Sequence, residues 1–168
     1  SNVCVNTYVM KVHQIPAAPR NAKGRALVNC IVLDPGEKVT AITPVGEIIE
    51  GVFVVTLTKG GQIKKTELSE YQNYREKGII GVKINDGDQL HTATITDGNR
   101  ELIVATRKGM SIRFDERDVR ATGRATQGVK AIDLEEGDEV VGLCVAQSDQ
   151  DRVLAVCEHG VGKQTALE

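Results

Sequence analysis

An acidic glycine turn recurs three times in this sequence of 168 residues, at an almost constant spacing. The copies read DPGEKVTAI at 34–42, NDGDQLHTA at 85–93 and EEGDEVVGL at 135–143. Their glycines, Gly36, Gly87 and Gly137, are 51 and 50 residues apart. A repeat of this period is typical of β-propeller blades and of solenoids, so we expect several copies of one supersecondary unit.

Two further signals keep the same register. A glycine closes each basic or polar stretch upstream of an acidic turn, at Gly24, Gly78 and Gly128. Hairpin turns are indicated in TLTKGGQIKK at 56–65, VATRKGMSIRF at 104–114 and AVCEHGVGKQT at 155–165. Short runs rich in Val, Ile and Thr between glycine turns are strand signals, and four strands in ~50 residues is the size of one blade. Only ELSEYQNYREK, at 67–77, could form a short helical turn.

The repeat predicts an all-β, propeller-like fold of four-stranded antiparallel blades, with about three blades and part of another. The expected units are approximately 1–50, 51–101, 102–151 and the start of a fourth at 152–168. Because the ends do not coincide with unit boundaries, we interpret the chain as a fragment of a longer array whose terminal edges would be exposed.

Charge is strongly patterned along the chain, although the formal net charge is only -2. Residues 1–33 contain four basic residues and no acidic one, and residues 102–130 contain seven basic residues against three acidic ones. Residues 133–151 instead contain seven acidic residues and no basic one. A small net charge can therefore conceal a basic surface.

The basic residues recur in the same two loops of each unit, which favours a sequence-independent phosphate-binding face. The alternative is that they are solvated loop charges. The candidate DNA-binding residues are Arg20, Lys23 and Arg25 in the first unit, Lys64, Lys65, Arg75 and Lys77 in the second, Arg107, Lys108, Arg113, Arg120, Arg124 and Lys130 in the third, and Lys163 in the fourth. The glycines of the acidic turns are expected to supply positive backbone dihedrals, and the negative turns themselves to mark a face that DNA avoids.

No motif indicates catalysis, a cofactor or a metal site. Cys4, Cys30, Cys144 and Cys157 show no C-x-x-C spacing and lie in or beside apolar runs, so we expect reduced thiols packed in the core. No apolar run approaches the ~20 residues of a membrane span and no signal peptide is visible, which predicts a cytoplasmic protein with no membrane partner.

Several long segments resemble the C-terminal domains of the DNA gyrase A-subunit family and, less closely, those of topoisomerase IV A subunits. These segments are YVMKVHQIPAAPRNAKGRALVNCIVLDPGEKVTAITPV, GGQIKKTELSEYQNYREKGIIGVKINDGDQL, RKGMSIRFDERDVRATGRATQGVKAIDLEEGDEVVGL and HGVGKQTALE. The resemblance spans residues 7–168.

The resemblance implies a β-pinwheel, a disc of about six four-stranded blades that exchange strands with their neighbours. Residues 7–168 would correspond to the second, third and fourth blades and the start of the fifth. The family binds double-stranded DNA on a basic outer rim and bends it, which presents a segment for ATP-dependent negative supercoiling by the whole enzyme. The implied partners are DNA, the rest of the gyrase A chain and, through that chain, the gyrase B chain. The active sites lie in other domains.

One family feature is missing from the sequence. The gyrase hallmark is a basic box of the Q-R-R-G-G-K-G type, and the corresponding stretches here are PRNAKG at 19–24, QNYREKG at 72–78 and ATGRATQG at 121–128. Each keeps the last glycine and one or two bases, which predicts DNA binding without a complete wrap. A topoisomerase IV domain and a propeller-like scaffold for protein interactions stay as alternatives.

Overall fold

A computed structural model describes residues 2–167 as antiparallel strands joined by turns and short 3₁₀ helices. The strands are β1 (Asn2–Thr7), β2 (Phe53–Thr58), β3 (Gln62–Glu67), β4 (Ile79–Asn85), β5 (Leu90–Thr96), β6 (Glu101–Thr106), β7 (Ser111–Asp115), β8 (Val129–Lys130), β9 (Val140–Ala146), β10 (Arg152–Val156) and β11 (Gly162–Ala166). The 3₁₀ helices are Val12–Gln14, Leu27–Asn29, Leu68–Tyr71 and Glu116–Asp118. None of the helices in this part of the chain has the length and apolar character needed to cross a membrane.

The strand pairing follows one rule in successive units. Each hairpin, β2–β3 or β6–β7, is joined by the last strand of its own unit, since β5 pairs with β2 and β9 pairs with β6. The third strand of a unit pairs instead with the preceding unit, as β4 does with β1 and β8 with β3. One complete sheet therefore has the order β5-β2-β3-β8. This exchange between neighbouring blades, and the all-β class, were both predicted and are confirmed.

The main core lies between consecutive blades. Val55 and Leu57 of β2 are fully buried and pack with Leu102 and Val104 of β6 and with Val140 of β9. Burial of side chains of this size contributes roughly 1.5–3 kcal/mol each. Burial of these aliphatic side chains thus holds one sheet against the next.

The strands expected in the first unit are absent from residues 8–52, where the structure shows turns and two of the 3₁₀ helices. The pairing rule gives the reason. A third strand needs the second strand of a preceding unit, and a fourth strand needs the first strand of its own unit, but neither partner lies within residues 2–167. In this segment the apolar residues Val28, Val32 and Ile42 are 61%, 59% and 79% exposed.

The cysteines are free thiols, but the prediction that they belong to the core was wrong. Cys4, Cys144 and Cys157 are exposed, and Cys30 is half-buried. In β9, the neighbouring Leu143 and Val145 pack on the main core. Because side chains alternate along a strand, Cys144 lies on the opposite face.

Candidate nucleic-acid interface

Arg75 and Lys77 lie in the loop 72–78, which leads into β4, and Arg120 lies near the start of a segment of residues 119–128 that we call the strap. All three side chains are exposed. None of them forms an ion pair within residues 2–167. These three predicted basic residues are therefore accessible to a phosphate.

The strap brings the basic loops of two consecutive units together. The backbone N–H of Thr122 donates to the carbonyl of Lys65 in β3 at 2.9 Å, and the N–H of Lys83 in β4 donates to the carbonyl of Thr126 at 3.1 Å. Because the loop 72–78 enters β4 directly, it lies beside the strap. The basic residues that recur at the same position of the second and third units are therefore close together in the structure.

Lys64 and Lys65 were expected on the phosphate-binding edge, and this prediction was wrong. They are only 3% and 6% exposed. The Nζ of Lys64 donates to the carbonyls of Gly81 at 2.9 Å and Arg124 at 2.5 Å, and the Nζ of Lys65 donates to the carbonyl of Glu116 at 2.7 Å. Both faces of β3 are covered, so neither ammonium group can contact a phosphate.

Burial, together with the nearby charge of Arg124, lowers the pKa of Lys64 to about 8, whereas Glu70 opposes the shift. A depressed lysine pKa means that the folded protein binds fewer protons than the unfolded chain above pH 8. The contribution of Lys64 to stability therefore increases with pH from about 8 to about 10.5.

We expect wild type to gain about 1 kcal/mol of unfolding free energy relative to Lys64→Met between about pH 8 and pH 9. The reason is that the methionine variant has no proton to lose at this position. Urea unfolding of both proteins across this range measures the difference. A difference that stays constant with pH would contradict the assignment.

Arg124 is half-buried and is held by the second unit. Its Nη1 donates to the carbonyl of Ile80 at 2.7 Å, and its Nε is buried with no hydrogen-bond partner within residues 2–167. The guanidinium is thus engaged with β4, and a direct phosphate contact of Arg124 stays a prediction.

Arg107 and Lys108 lie against the acidic turn of their own unit. Arg107 forms an ion pair with Glu139, and the Nζ of Lys108 is 3.6 Å from a carboxylate oxygen of Glu135. The backbone N–H of Lys108 donates to Asp138 at 3.0 Å. The two signs of charge meet here, rather than lying on separate surfaces as the sequence suggested, so phosphate would have to compete with carboxylates.

The acidic turn has the same structural role in the second unit. The N–H of Gly60, in the hairpin turn, donates to the Asp88 carboxylate at 2.8 Å. The predicted positive backbone dihedrals are confirmed, with φ of 88°, 82° and 74° at Gly36, Gly87 and Gly137. Asp88 and Asp138 each accept from a backbone N–H of the hairpin turn beside them, so a structural role accounts for these two acidic residues.

The remaining predicted bases are dispersed. Arg113 pairs with Glu101 and Asp149, and the Nζ of Lys130 is 2.5 Å from Asp133. Arg20, Lys23 and Arg25 are exposed in the irregular segment 8–52, and Lys163 is exposed on β11. Lys130 follows the strap in β8 but is engaged with Asp133, and the other residues lie outside both the strap and the loop 72–78.

Lys83 was missed by the sequence analysis. It is half-buried in β4 between Val82 and Ile84, which are each only 3% exposed, and its backbone contacts the strap. The signal was present in the alternation of GVKIN, because a lysine between two buried strand residues must lie on the opposite face.

No other site chemistry competes with this interface in the described part of the chain. Within residues 2–167, no three His, Cys, Asp or Glu side chains are grouped so that they could hold a metal ion. A cleft of about 500 Å³ is lined by Lys59, Asp88, Asp138 and Glu139, among others, and belongs to the turn network just described.

The family model and the most similar sequences both indicate DNA gyrase C-terminal domains. The model of the family described as "DNA gyrase C-terminal domain, beta-propeller" matches residues 6–45, 53–97 and 100–143. The DNA gyrase A protein of Haloquadratum walsbyi is 43% identical over 166 residues, which are 96% of this chain and 19% of that protein. Its Escherichia coli counterpart is 43% identical over 160 residues, or 95% of this chain and 18% of that protein. The chain thus spans about a fifth of the length of these relatives.

Two solved structures are similar to the whole fold. The C-terminal domain of a DNA topoisomerase IV superposes with a TM-score of 0.82 at 29% identity, covering 93% of this chain and 49% of that one. A DNA gyrase A C-terminal domain superposes with a TM-score of 0.78 at 29% identity, covering 87% of this chain and 48% of that one.

Proposed function

This chain belongs to the family of DNA gyrase C-terminal domains, and on that premise we propose that it binds and bends duplex DNA through a rim formed by Arg75, Lys77, Lys83 and Arg120. The observation that carries the proposal is the juxtaposition of two basic loops from consecutive units. Arg75, Lys77 and Arg120 are exposed there and have no carboxylate partner within residues 2–167.

The physical basis of binding is counterion release. Each Lys or Arg that neutralises a phosphate releases condensed cations, so affinity is independent of base sequence and falls steeply with salt. Bending is part of the proposal because a duplex that contacts the rim loops of successive blades must follow the path along which those loops are arranged. The DNA deformation is offset by the additional phosphate contacts.

Within the whole enzyme, we propose that this domain is not catalytic. It would wrap DNA and present a segment to the strand-passage machinery of a gyrase, whose ATP-dependent negative supercoiling is carried out by the B chain together with other domains of the A chain. Such an enzyme works in the cytoplasm. Because no complete basic box is present in the sequence, this piece alone should bind DNA without completing the wrap.

Two alternatives have less support. A scaffold for basic protein partners would use the acidic turns, but Glu135 and Glu139 already pair with Lys108 and Arg107, and Asp88 and Asp138 cap backbone amides. A topoisomerase IV domain would share the fold and the DNA-binding rim. The relatives at 43% identity are named as gyrase A proteins, which supports the gyrase assignment.

The rim is tested by the triple variant Arg75→Ala, Lys77→Ala, Arg120→Ala. We expect the slope of log K against log salt to become shallower by about 3, and the affinity for a mixed-sequence duplex to fall on the order of tenfold or more near 100 mM salt. Fluorescence anisotropy between about 50 and 200 mM salt measures both quantities.

The matched control is Arg107→Ala, Arg117→Ala, Lys130→Ala, which removes the same charge from residues that are ion-paired with Glu139, Asp115 and Asp133. It should lose much less affinity. An equal loss in both triple variants would show that only total charge matters, and wild-type binding that does not respond to salt would contradict electrostatic recognition altogether.

A further inference from the structure

The strap lies between two sheets whose strands do not pair with each other, and we call the space between β3 and β4 the seam. On one side is β3, whose strand partners are β2 and β8, and on the other is β4, whose strand partner is β1. The strap lies between them and bonds to both, through Thr122 to the carbonyl of Lys65 and through the carbonyl of Thr126 to Lys83. A segment of the third unit therefore connects the hairpin strand β3 of the second unit with β4, the strand that the second unit pairs with β1 of the first.

Two cations hold the middle of the strap. Lys64 extends from β3 and its Nζ donates both to Gly81 in β4 and to the carbonyl of Arg124 in the strap, while Arg124 donates to Ile80. All of these acceptors are backbone carbonyls. Since Lys64 is 3% exposed, its hydrogen bonds are shielded from water, and losing them would leave buried carbonyls without a donor.

The far end of the strap is anchored by side chains. The amide of Gln127 donates to Asn2 of β1 at 2.9 Å and to Asn85 of β4 at 3.0 Å. These bonds are exposed, so they contribute less than the buried bonds of Lys64. The hydrogen bonds of Lys64 in the middle of the strap therefore contribute most to fixing its position.

We propose that Lys64 and Arg124 are positioning residues which hold the strap in the seam, and so set both the location of Arg120 and the angle between consecutive blades. The inference rests on the proposed function for its consequence on DNA. Lys64 cannot reach a phosphate, and Arg124 uses its guanidinium on β4, so neither needs to release a counterion. Their removal should change the affinity and bend of DNA only through the displaced strap and Arg120, and not through a phosphate contact of their own.

The first test needs no DNA. Hydrogen exchange of the Thr122 and Lys83 amides is measured in wild type, Lys64→Met and Arg124→Met. We expect exchange about tenfold or more faster at these two amides in both variants, while the amides of β6 keep their protection. Arg124→Lys, which keeps a donor for the Ile80 carbonyl, should restore part of the protection. If Lys64→Met does not fold, Arg124→Met at the half-buried position gives the same readout.

The second test separates positioning from contact. We expect Arg120→Ala to make the salt slope shallower by about 1, whereas adding Lys64→Met or Arg124→Met to Arg120→Ala should lower the affinity without any further change in slope. Energy transfer between dyes on the two ends of a duplex should also show a smaller bend with the latter variants. A further slope reduction of about 1 when Lys64→Met or Arg124→Met is added to Arg120→Ala would identify a phosphate contact of that residue itself and overturn the inference.

The two proposals can fail independently. If wild type does not bind duplex DNA, the proposed function is wrong, and the exchange experiment still decides whether the two cations hold the strap. If both variants leave exchange at Thr122 and Lys83 unchanged while DNA binding is salt-sensitive, the function stands and the positioning role is wrong.

Discussion

Replacing Glu116 with Ala is expected to lower the free energy of unfolding by about 3–5 kcal/mol. Glu116 is fully buried. One carboxylate oxygen accepts from the hydroxyl of Thr96 at 2.6 Å and the other accepts from the backbone N–H of Arg100 at 2.6 Å. Hydrogen bonds to a charged acceptor are each worth about 1.5–3 kcal/mol, and alanine would leave both donors unsatisfied in the interior.

The location of Glu116 makes this loss global rather than local. Thr96 ends β5, Arg100 immediately precedes β6, and the backbone carbonyl of Glu116 accepts from Lys65 in β3. The Glu116 side chain thus joins the fourth strand of the second unit, β5, to the first strand of the third, β6. Its backbone carbonyl adds a contact to β3, in the same sheet as β5. Its removal should therefore loosen the contact between two blades.

Urea denaturation and thermal melting measure the loss of stability. Two further variants serve as an intermediate case and as a control. Glu116→Gln keeps one acceptor oxygen but places an amide donor against a second donor, so we expect about half of the loss. Glu76→Ala, at an exposed position in the loop 72–78, should stay within about 0.5 kcal/mol of wild type. A Glu116→Ala protein as stable as Glu76→Ala would show that the buried carboxylate does not join the blades.

The periodic acidic turns predicted most of the fold because their signal is local. Gly87 and Gly137 mark turns whose conformation depends on neighbouring residues only, and the strands on either side form as expected. The first unit failed because strand formation also depends on a partner that is distant in sequence. Residues 38–43 follow the first acidic turn, but with no partner strand within residues 2–167 they do not form a strand.

The candidate site was less predictable, since charge counting does not reveal which side chains become covered. Lys64 and Lys65 are adjacent in β3, so alternation places them on opposite faces, and one would ordinarily be solvated. Instead the strap and the turn at Glu116 cover both faces, and these come from the following unit. Arg75, Lys77 and Arg120 lie in loops, where exposure is the rule, and there the sequence-based expectation of accessibility was sufficient.

The glycine that closes each basic stretch has two different physical roles. Gly24 and Gly78 have φ of 72° and 75°, a conformation that other residues adopt at a cost. Gly128 does not have a positive φ, but a Cβ placed there would lie 2.5 Å from the carbonyl oxygen of Ile63. The constraint at Gly128 is therefore close approach of two backbones, at the point where β8 joins β3.

Gly128→Ala should consequently destabilise the protein by about 2–3 kcal/mol, because Ile63 is 1% exposed in β3 and its backbone cannot move aside. Gly123→Ala in the same strap is the matched control, since it has no heavy atom within 4 Å of the new Cβ and no positive φ. A glycine in an ordinary conformation loses more entropy on folding than alanine, so this control should gain about 0.4–1 kcal/mol. Opposite signs from identical substitutions within one strap, measured by urea unfolding, would show that exchange of β8 between blades requires a residue without a side chain. Equal effects would show that strap flexibility, and not backbone approach, limits stability.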